Sequence, residues 1–261
     1  MANNMAWERR ILSSANIEGL TVSMREQKQY GFSIIVPVLN EADRINSLIE
    51  HLHGQGCDSA YEVIVVDGDP QGGTVDAICS EDVVKIKTEK GRARQMNAGA
   101  EVARGKMLIF LHADTTLPDG ALEKIGRALE NPDYVGGAFD LRIDSDTLFL
   151  RYISMRASHR SRWNRLPYGD QAIFLRREYF DRIGRFKDIP LMEDVELMRR
   201  IKKDGRKIYI LPDKVTTSSR RWRRDGAIYT TVRNQVLVAL FHLGVSPSRL
   251  AKYYWRRERE I

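Results

Sequence analysis

Cysteine is scarce in this sequence: Cys57 and Cys79 are the only two among 261 residues. They form no C-x-x-C, and the five histidines make no zinc spacing with them. A disulfide scaffold and a zinc module are thereby excluded, and a reduced, cytoplasmic chain is expected. Long apolar runs are missing as well. The longest candidate, residues 236–241, stops at His242, well short of the roughly 18–20 residues that span a bilayer. The first residues hold no apolar signal core. Neither G-x-x-x-x-G-K-S/T nor G-x-G-x-x-G occurs, so ATPase and hydride-transfer chemistry lose support.

What is present is ordinary for a folded enzyme-sized chain. Hydrophobic residues make up 43% and charged residues 30%, which excludes disorder and collagen. The length suits one large domain, or a domain with an appendage, burying roughly 70–75% of its unfolded surface. The net charge of +7 is lopsided. Residues 199–261 hold 17 Lys and Arg against 5 Asp and Glu, so the preceding 198 residues are net acidic. A uniform nucleic-acid binder would not be built this way, and no nucleic-acid partner is expected. The tail by itself suits an anionic partner, whether a nucleotide diphosphate, an anionic membrane surface at the inner face of the cell membrane or a nucleic acid, or else it is a solvated helix face.

Regular structure is expected from residue 32 onward, after a loosely ordered arm over residues 1–31. FSIIVPV (32–38) is a continuous apolar run typical of a strand buried on both faces. Asn40 then offers a helix cap, with Glu41 and Asp43 in the first turn and Ile45, Leu48, Ile49 and Leu52 at helical spacing up to Gly54. EVIVVD (62–67) and VVKIK (83–87) read as strands, a helix opens at Gly91, and MLIFLH (107–112) is a further buried strand. This alternation argues for a parallel sheet with crossover helices. Beyond it, residues 134–143, 171–175 and 207–211 read as strands, separated by an Arg-rich stretch over 151–167. Residues 193–203 read as a helix stopped by Gly205. Residues 227–243 read as an amphipathic helix with Ile228, Val232, Val236, Leu240 and Leu243 on its apolar face.

In open α/β sheets ligands bind beyond the carboxyl ends of the strands. Asp67 with Asp69, Asp114 and Asp170 all fall at such positions. Each alone would serve as a turn cap, but three together suggest a site. Arg92 and Arg94 at a helix N-terminus after Gly91 offer guanidinium groups and amides to anionic oxygens. Asp114 is the best metal-ligand candidate, since Mg²⁺ takes one or two carboxylates plus phosphate oxygens and water. His112, two residues before, is placed to bond a ligand or to fill the strand end. Glu193 and Asp194 open a helix. Acidic residues there stabilise the helix dipole, yet adjacent carboxylates repel and one can be raised into the range of a proton acceptor.

Six segments stand in an order that resembles glycosyltransferase family 2: VPVLNEADRI, VVDGDP, GRARQMNAGA, FLHADTTLP, YGDQAIF and PLMEDVELMRRI, over about residues 32–222. The resemblance implies a GT-A (Rossmann-like) α/β fold: a mixed, mostly parallel sheet flanked by helices over 32–222, followed here by a basic helical extension over 223–261. It implies a nucleotide-diphosphate sugar donor. Pro37, Asn40, Glu41 and Asp67 would line the nucleoside pocket, and Arg92 would lie near the donor. Asp114 matches the last residue of the D-x-D element that holds a divalent metal, Mg²⁺ or Mn²⁺, and the diphosphate. Gly169, Asp170 and Gln171 match the acceptor-side segment, with Glu193 beside Asp194, which matches the catalytic base.

Two departures shape the expectation. His112 stands where the first Asp of D-x-D would be, so the metal would rest more heavily on Asp114. The Q-x-x-R-W element of processive synthases survives as Arg221-Trp222, on the acceptor side, with Ser218 in place of Gln. The sequence thus looks closest to a short soluble branch carrying His-Ala-Asp. The expected activity is inverting transfer of a single sugar to an acceptor hydroxyl, free or lipid-linked. Two other readings stand beside it. A nucleotidyltransferase would want a Gly-rich phosphate loop where VPVLNEAD stands. A non-catalytic nucleotide- or membrane-binding module would act through its basic tail.

Overall fold

The computed structural model describes residues 30–254. The arm expected over residues 1–31 lies outside these except for Tyr30 and Gly31, as do the basic residues beyond Tyr254. Strand β1 (Phe32–Val38) has almost every residue buried, as its unbroken apolar run requires. Helix α1 (Ala42–His53) buries Ile45, Leu48, Ile49 and Leu52. Asn40 does not cap it. Its φ is +56°, a left-handed conformation that Asn tolerates, and Glu41 takes the N-cap position instead without a side-chain cap bond.

Strand β2 (Tyr61–Asp67) pairs in parallel with β1 from Phe32↔Tyr61 to Val38↔Asp67. Strand β3 (Val84–Lys87), helix α2 (Arg92–Val102) and strand β4 (Met107–Phe110) complete the alternating half. The α2 residue Gln95 is buried and donates to the carbonyls of Val38 at 2.7 Å and Val66 at 2.8 Å. It thereby fastens the carboxyl ends of β1 and β2, where the loops of the cleft begin.

The second half is β5 (Thr115–Thr116), α3 (Ala121–Ala128), β6 (Tyr134–Asp144), α4 (Leu148–Asn164), β7 (Ile173–Arg176), α5 (Arg177–Arg182), α6 (Glu193–Lys203), β8 (Lys207–Ser218), α7 (Arg220–Asp225), α8 (Ala227–His242) and α9 (Pro247–Tyr254). The sheet order is β3-β2-β1-β4-β7-β6-β8-β5. Its first four strands are mutually parallel, β7 is antiparallel to β4 and β6, and β6 and β8 are parallel. One sheet face carries α1, α3 and α4. The other carries α2, α5 and α6. A third cluster joins Met192 and Val195, at the start of α6, to Leu237 and Phe241 of α8 and Leu250 of α9.

Three elements depart from the pattern read in the sequence. The Arg-rich stretch is a helix, α4, whose inward face is built from serines. Ser158 and Ser154 accept from the β6 amides of Leu141 and Ile143 at 3.0 and 2.9 Å. Strand β8 runs on past residue 211 because Pro212 and Asp213 bulge out of the pairing, which resumes at Asp140↔Lys214. Helix α8 forms as expected but is turned round. Thr230, Leu237 and Phe241 are buried, and of the five residues of the expected apolar face Ile228, Val232, Val236 and Leu243 face outward while Leu240 packs half-buried against the inner cluster.

Candidate functional site

The structure brings five of the residues singled out in the sequence to one cleft: Arg92, His112, Gly169, Glu193 and Asp194 line it, over an apolar floor of Met96, Phe110, Ile173 and Phe186. They come from four separate places: the start of α2, the end of β4, the turn ahead of β7 and the start of α6. Nothing local holds them together. The parallel strands end at one edge, and the chain returns there each time.

Asp194 sits in the first turn of α6, which is anchored by Val195, Leu197, Met198 and Ile201. Its Oδ2 accepts the Gly169 amide at 2.6 Å and its Oδ1 accepts the Val195 amide at 2.7 Å. Both oxygens are therefore fixed by backbone. Glu193 is 2% exposed and accepts from Arg92 at 3.3 Å. Burial pushes its carboxyl up, Arg92 pulls it back, and neighbouring Asp194 raises it again. The pair thus divides its duties: Glu193 is tied to a cation, and Asp194 faces the cleft.

Gly169 is there for space. A Cβ on it would stand 2.8 Å from Nε2 of His112 and 3.3 Å from Oδ2 of Asp194. The His112 imidazole is held well below its ordinary range by burial, with Arg92 and Arg221 adding to the effect, so it is neutral at pH 7. Asp170 has a buried Oδ1 that meets no hydrogen-bond donor among the described residues. Burial raises its carboxyl to about 6, with Arg160 opposing and Asp194 and Asp114 reinforcing. Gln171 is wholly buried and pins the turn. It accepts from Ser161 at 2.6 Å and donates to the carbonyl of Phe139 at 2.8 Å.

On the donor side, Asp114 follows β4 with its carboxylate about one-third exposed. Arg220, in the first turn of α7, reaches it at 3.9 Å and reaches Glu41 at 3.2 Å. The Glu41 carboxyl is raised by burial, lowered by Arg44 and raised again by Asp114. Arg220 was invisible as a site residue in the run SSRRWRR, where five polar neighbours look alike. Asp67 is buried, accepting from the amides of Asp69, Thr74 and Val75 at 3.0, 2.8 and 3.1 Å, so it shapes the loop after β2. Pro37 is part-buried on β1, and Asn40 is exposed.

Arg221 donates to the hydroxyl of Tyr254. Trp222 packs, partly buried, against the core on the sheet face that carries α1, α3 and α4, its indole N–H buried and meeting no acceptor among the described residues. A further contact, unforeseen in the sequence, is the Arg160 guanidinium stacked 3.4 Å over the ring of Tyr168. Among the described residues no three of His, Cys, Asp and Glu gather to hold a metal by themselves. Asp114 and Glu41, meeting across Arg220, are hard oxygen donors. They fit a cation that completes its shell with phosphate oxygens and water.

The profile of Glycosyl transferase family 2 matches residues 33–187. The chain belongs to glycosyl transferase family 2. Among curated relatives of this family 2 chain, the glycosyltransferase YfnE of Bacillus subtilis (strain 168) is 32% identical over 121 residues, covering 43% of this chain and 31% of YfnE. The PGL/p-HBAD biosynthesis glycosyltransferase of Mycobacterium bovis (strain BCG / Pasteur 1173P2) is 29% identical over 177 residues, covering 59% of this chain and 62% of the relative. The chain therefore spans less than two thirds of the length of these curated relatives. Among solved structures, the mannosyltransferase PcManGT of Pyrobaculum calidifontis, in complex with GDP-Man and Mn²⁺, aligns with a TM-score of 0.57 at 22% identity, over 73% of this chain and 57% of that one. Residues 1–349 of S. aureus TarS align with a TM-score of 0.55 at 16% identity, over 84% and 68%. These alignments identify the fold of this family 2 protein as GT-A, with its mixed sheet flanked by helices.

Proposed function

We propose that the protein is an inverting glycosyltransferase that moves a single sugar from a nucleotide-diphosphate sugar to an acceptor hydroxyl. The observation that carries this is the convergence of a backbone-fixed Asp194 carboxylate with Arg92, His112 and Gly169 around one small cavity. Asp194 accepts the proton of the acceptor hydroxyl as its oxygen bonds to the anomeric carbon. The bond from that carbon to the nucleotide diphosphate breaks on the opposite side, and the diphosphate leaves with both electrons.

Arg92 and the amides opening α2 lie where the departing phosphates would need charge. Neutral His112 offers that oxygen-rich region a hydrogen bond without another positive charge. Asp114, with Glu41 beside it, would hold a divalent cation, Mg²⁺ or Mn²⁺, which when bound supplies positive charge to the leaving diphosphate. The GDP-Man and Mn²⁺ held by the mannosyltransferase of like fold support both the donor class and the cation. Pro37, Asn40, Glu41 and Asp67 border the nucleoside side. Gly169, Asp170, Gln171, Arg221 and Trp222 border the acceptor side. No helix of the described residues is long and apolar enough to cross a membrane, and we place the protein at an anionic membrane surface as a peripheral partner. A panel of nucleotide-diphosphate sugars with Mg²⁺ or Mn²⁺ tests the proposal: one donor should release UDP or GDP. Failure to turn over any donor with any hydroxyl acceptor overturns it.

A further inference from the structure

Two helices of the active-site end turn their apolar sides outward. On α4, Leu148 is 79%, Met155 60% and Trp163 82% exposed, and Tyr152 lies on the same stripe. On α8, Ile228 is 69% and Leu243 81% exposed, with Val232 and Val236 between them. The spacings 148-152-155-163 and 228-232-236-243 are those of one stripe per helix. Both inward faces are already satisfied: α4 bonds β6 through its serines, and α8 packs Leu237 and Phe241 on α6 and α9.

Exposed cations lie beside both stripes. On α4, Arg151 and Arg156 are exposed beside the stripe, whereas Arg162 pairs with Asp140, Arg165 donates to the carbonyl of Ile208 and Arg160 stacks on Tyr168. On α9, Arg249 and Lys252 are exposed, whereas Arg233 of α8 is largely buried and pairs with Asp225 at 3.6 Å. Exposed apolar and aromatic side chains interleaved with exposed Arg151, Arg156, Arg249 and Lys252 match a surface of acyl chains below anionic headgroups.

Both helices also lead to the acceptor side of the cleft. From α4, Arg160 stacks on Tyr168 and Ser161 bonds Gln171. From α8, Leu237 and Phe241 belong to the cluster against which Tyr168 packs. Tyr168 directly precedes Gly169, whose amide holds Asp194. We infer that the outward faces of α4 and α8 seat the protein on an anionic membrane, which makes the acceptor a hydroxyl carried on a lipid at that surface. The identity of the acceptor rests on the glycosyl-transfer reading above, whereas the membrane contact does not.

Vesicle binding by the full chain, read without donor, tests the contact separately from the chemistry. Vesicles with about 30% phosphatidylglycerol should bind the protein at low salt, and pure phosphatidylcholine vesicles should not. Arg151→Gln with Arg156→Gln should weaken binding about 30-fold, from the usual worth of two basic residues at such a surface. Ile228→Ser, Val232→Ser and Val236→Ser together, all at exposed positions, should weaken it about tenfold or more. Tryptophan emission should shift to the blue on anionic vesicles and lose most of that shift in Trp163→Phe. Equal binding to neutral and anionic vesicles, or to neither, overturns the inference. So does a stable dimer in light scattering that the triple serine variant dissociates, since a second copy would then own the apolar face. Donor hydrolysis in solution by these variants should match wild type. Failure of wild type to turn over any donor with any hydroxyl acceptor, with vesicle binding intact, would instead remove the transfer reading and leave the membrane contact.

Discussion

Replacing Asp194 by Asn tests the assigned base most directly, and the structure separates its two costs. The wild-type carboxylate accepts one amide on each oxygen, Gly169 at 2.6 Å and Val195 at 2.7 Å. An amide side chain can offer oxygen to only one of them, and its NH₂ then faces the other N–H, donor against donor. Losing one charge-assisted bond and leaving a part-buried donor unpaired costs about 1.5–3 kcal/mol. In a chain of this size that lowers the melting temperature by about 3–12 °C. The catalytic loss is separate, because a general base contributes about 10²–10⁴ in rate. Turnover is read as nucleotide-diphosphate release at saturating donor and acceptor, well below the melting transition. Donor affinity is read by calorimetry at the same temperature. The expectation is turnover down by about 10²–10⁴ with donor affinity near wild type. Normal turnover on its acceptor, or donor binding lost outright, would refute the assignment.

Asp114→Asn should lower donor affinity about tenfold or more, the worth of one charge-assisted contact, and leave the melting temperature unchanged; full activity of this variant in EDTA would remove Asp114 from the donor site. Gly169→Ala forces a Cβ to within 2.8 Å of His112. Overpacking of that kind costs about 1–3 kcal/mol, so calorimetric melting and turnover should both fall, and a variant indistinguishable from wild type would show that the turn yields freely. Asp170 has its folded-state value raised to about 6 from 3.8, so the native protein binds the extra proton between those values and stability falls as pH rises from about 4 to 6. Asp170→Asn should remove that fall and melt higher than wild type at pH 7 but not at pH 4, by up to about 3 kcal/mol; identical pH profiles of melting would show that this carboxyl titrates normally.

How much could be read in advance depended on how local the cause was. β1, β2 and β4 announced themselves because strands covered on both faces need unbroken apolar runs, and α6 because Val195, Met198 and Ile201 repeat at its own period. The chain order was likewise enough to mark His112 and Asp114 at a strand end and Arg92 and Asp194 at helix starts, while Gly169 was marked by the family resemblance. α4 escaped because its buried face is Ser154, Ser158 and Ser161, whose burial is satisfied by hydrogen bonds to β6 and Gln171 and leaves no hydrophobic signature.

Helix α8 was foreseen by period and mistaken in direction. Periodicity locates an apolar stripe, but which side meets the core depends on what other elements present, here α6 and α9 through Met192, Val195 and Leu250. Arg220 is the sharpest case, since its partner Glu41 lies 179 residues away. Sequence by itself determined the strands, the helical periods and the residue types available at each strand end, because these follow from neighbours a few residues apart. Only the tertiary structure decided which guanidinium faces which carboxylate, which oxygens of Asp194 are held, and which apolar faces stay outside. Those depend on packing and distance between segments that meet only once the sheet has brought their ends to one edge.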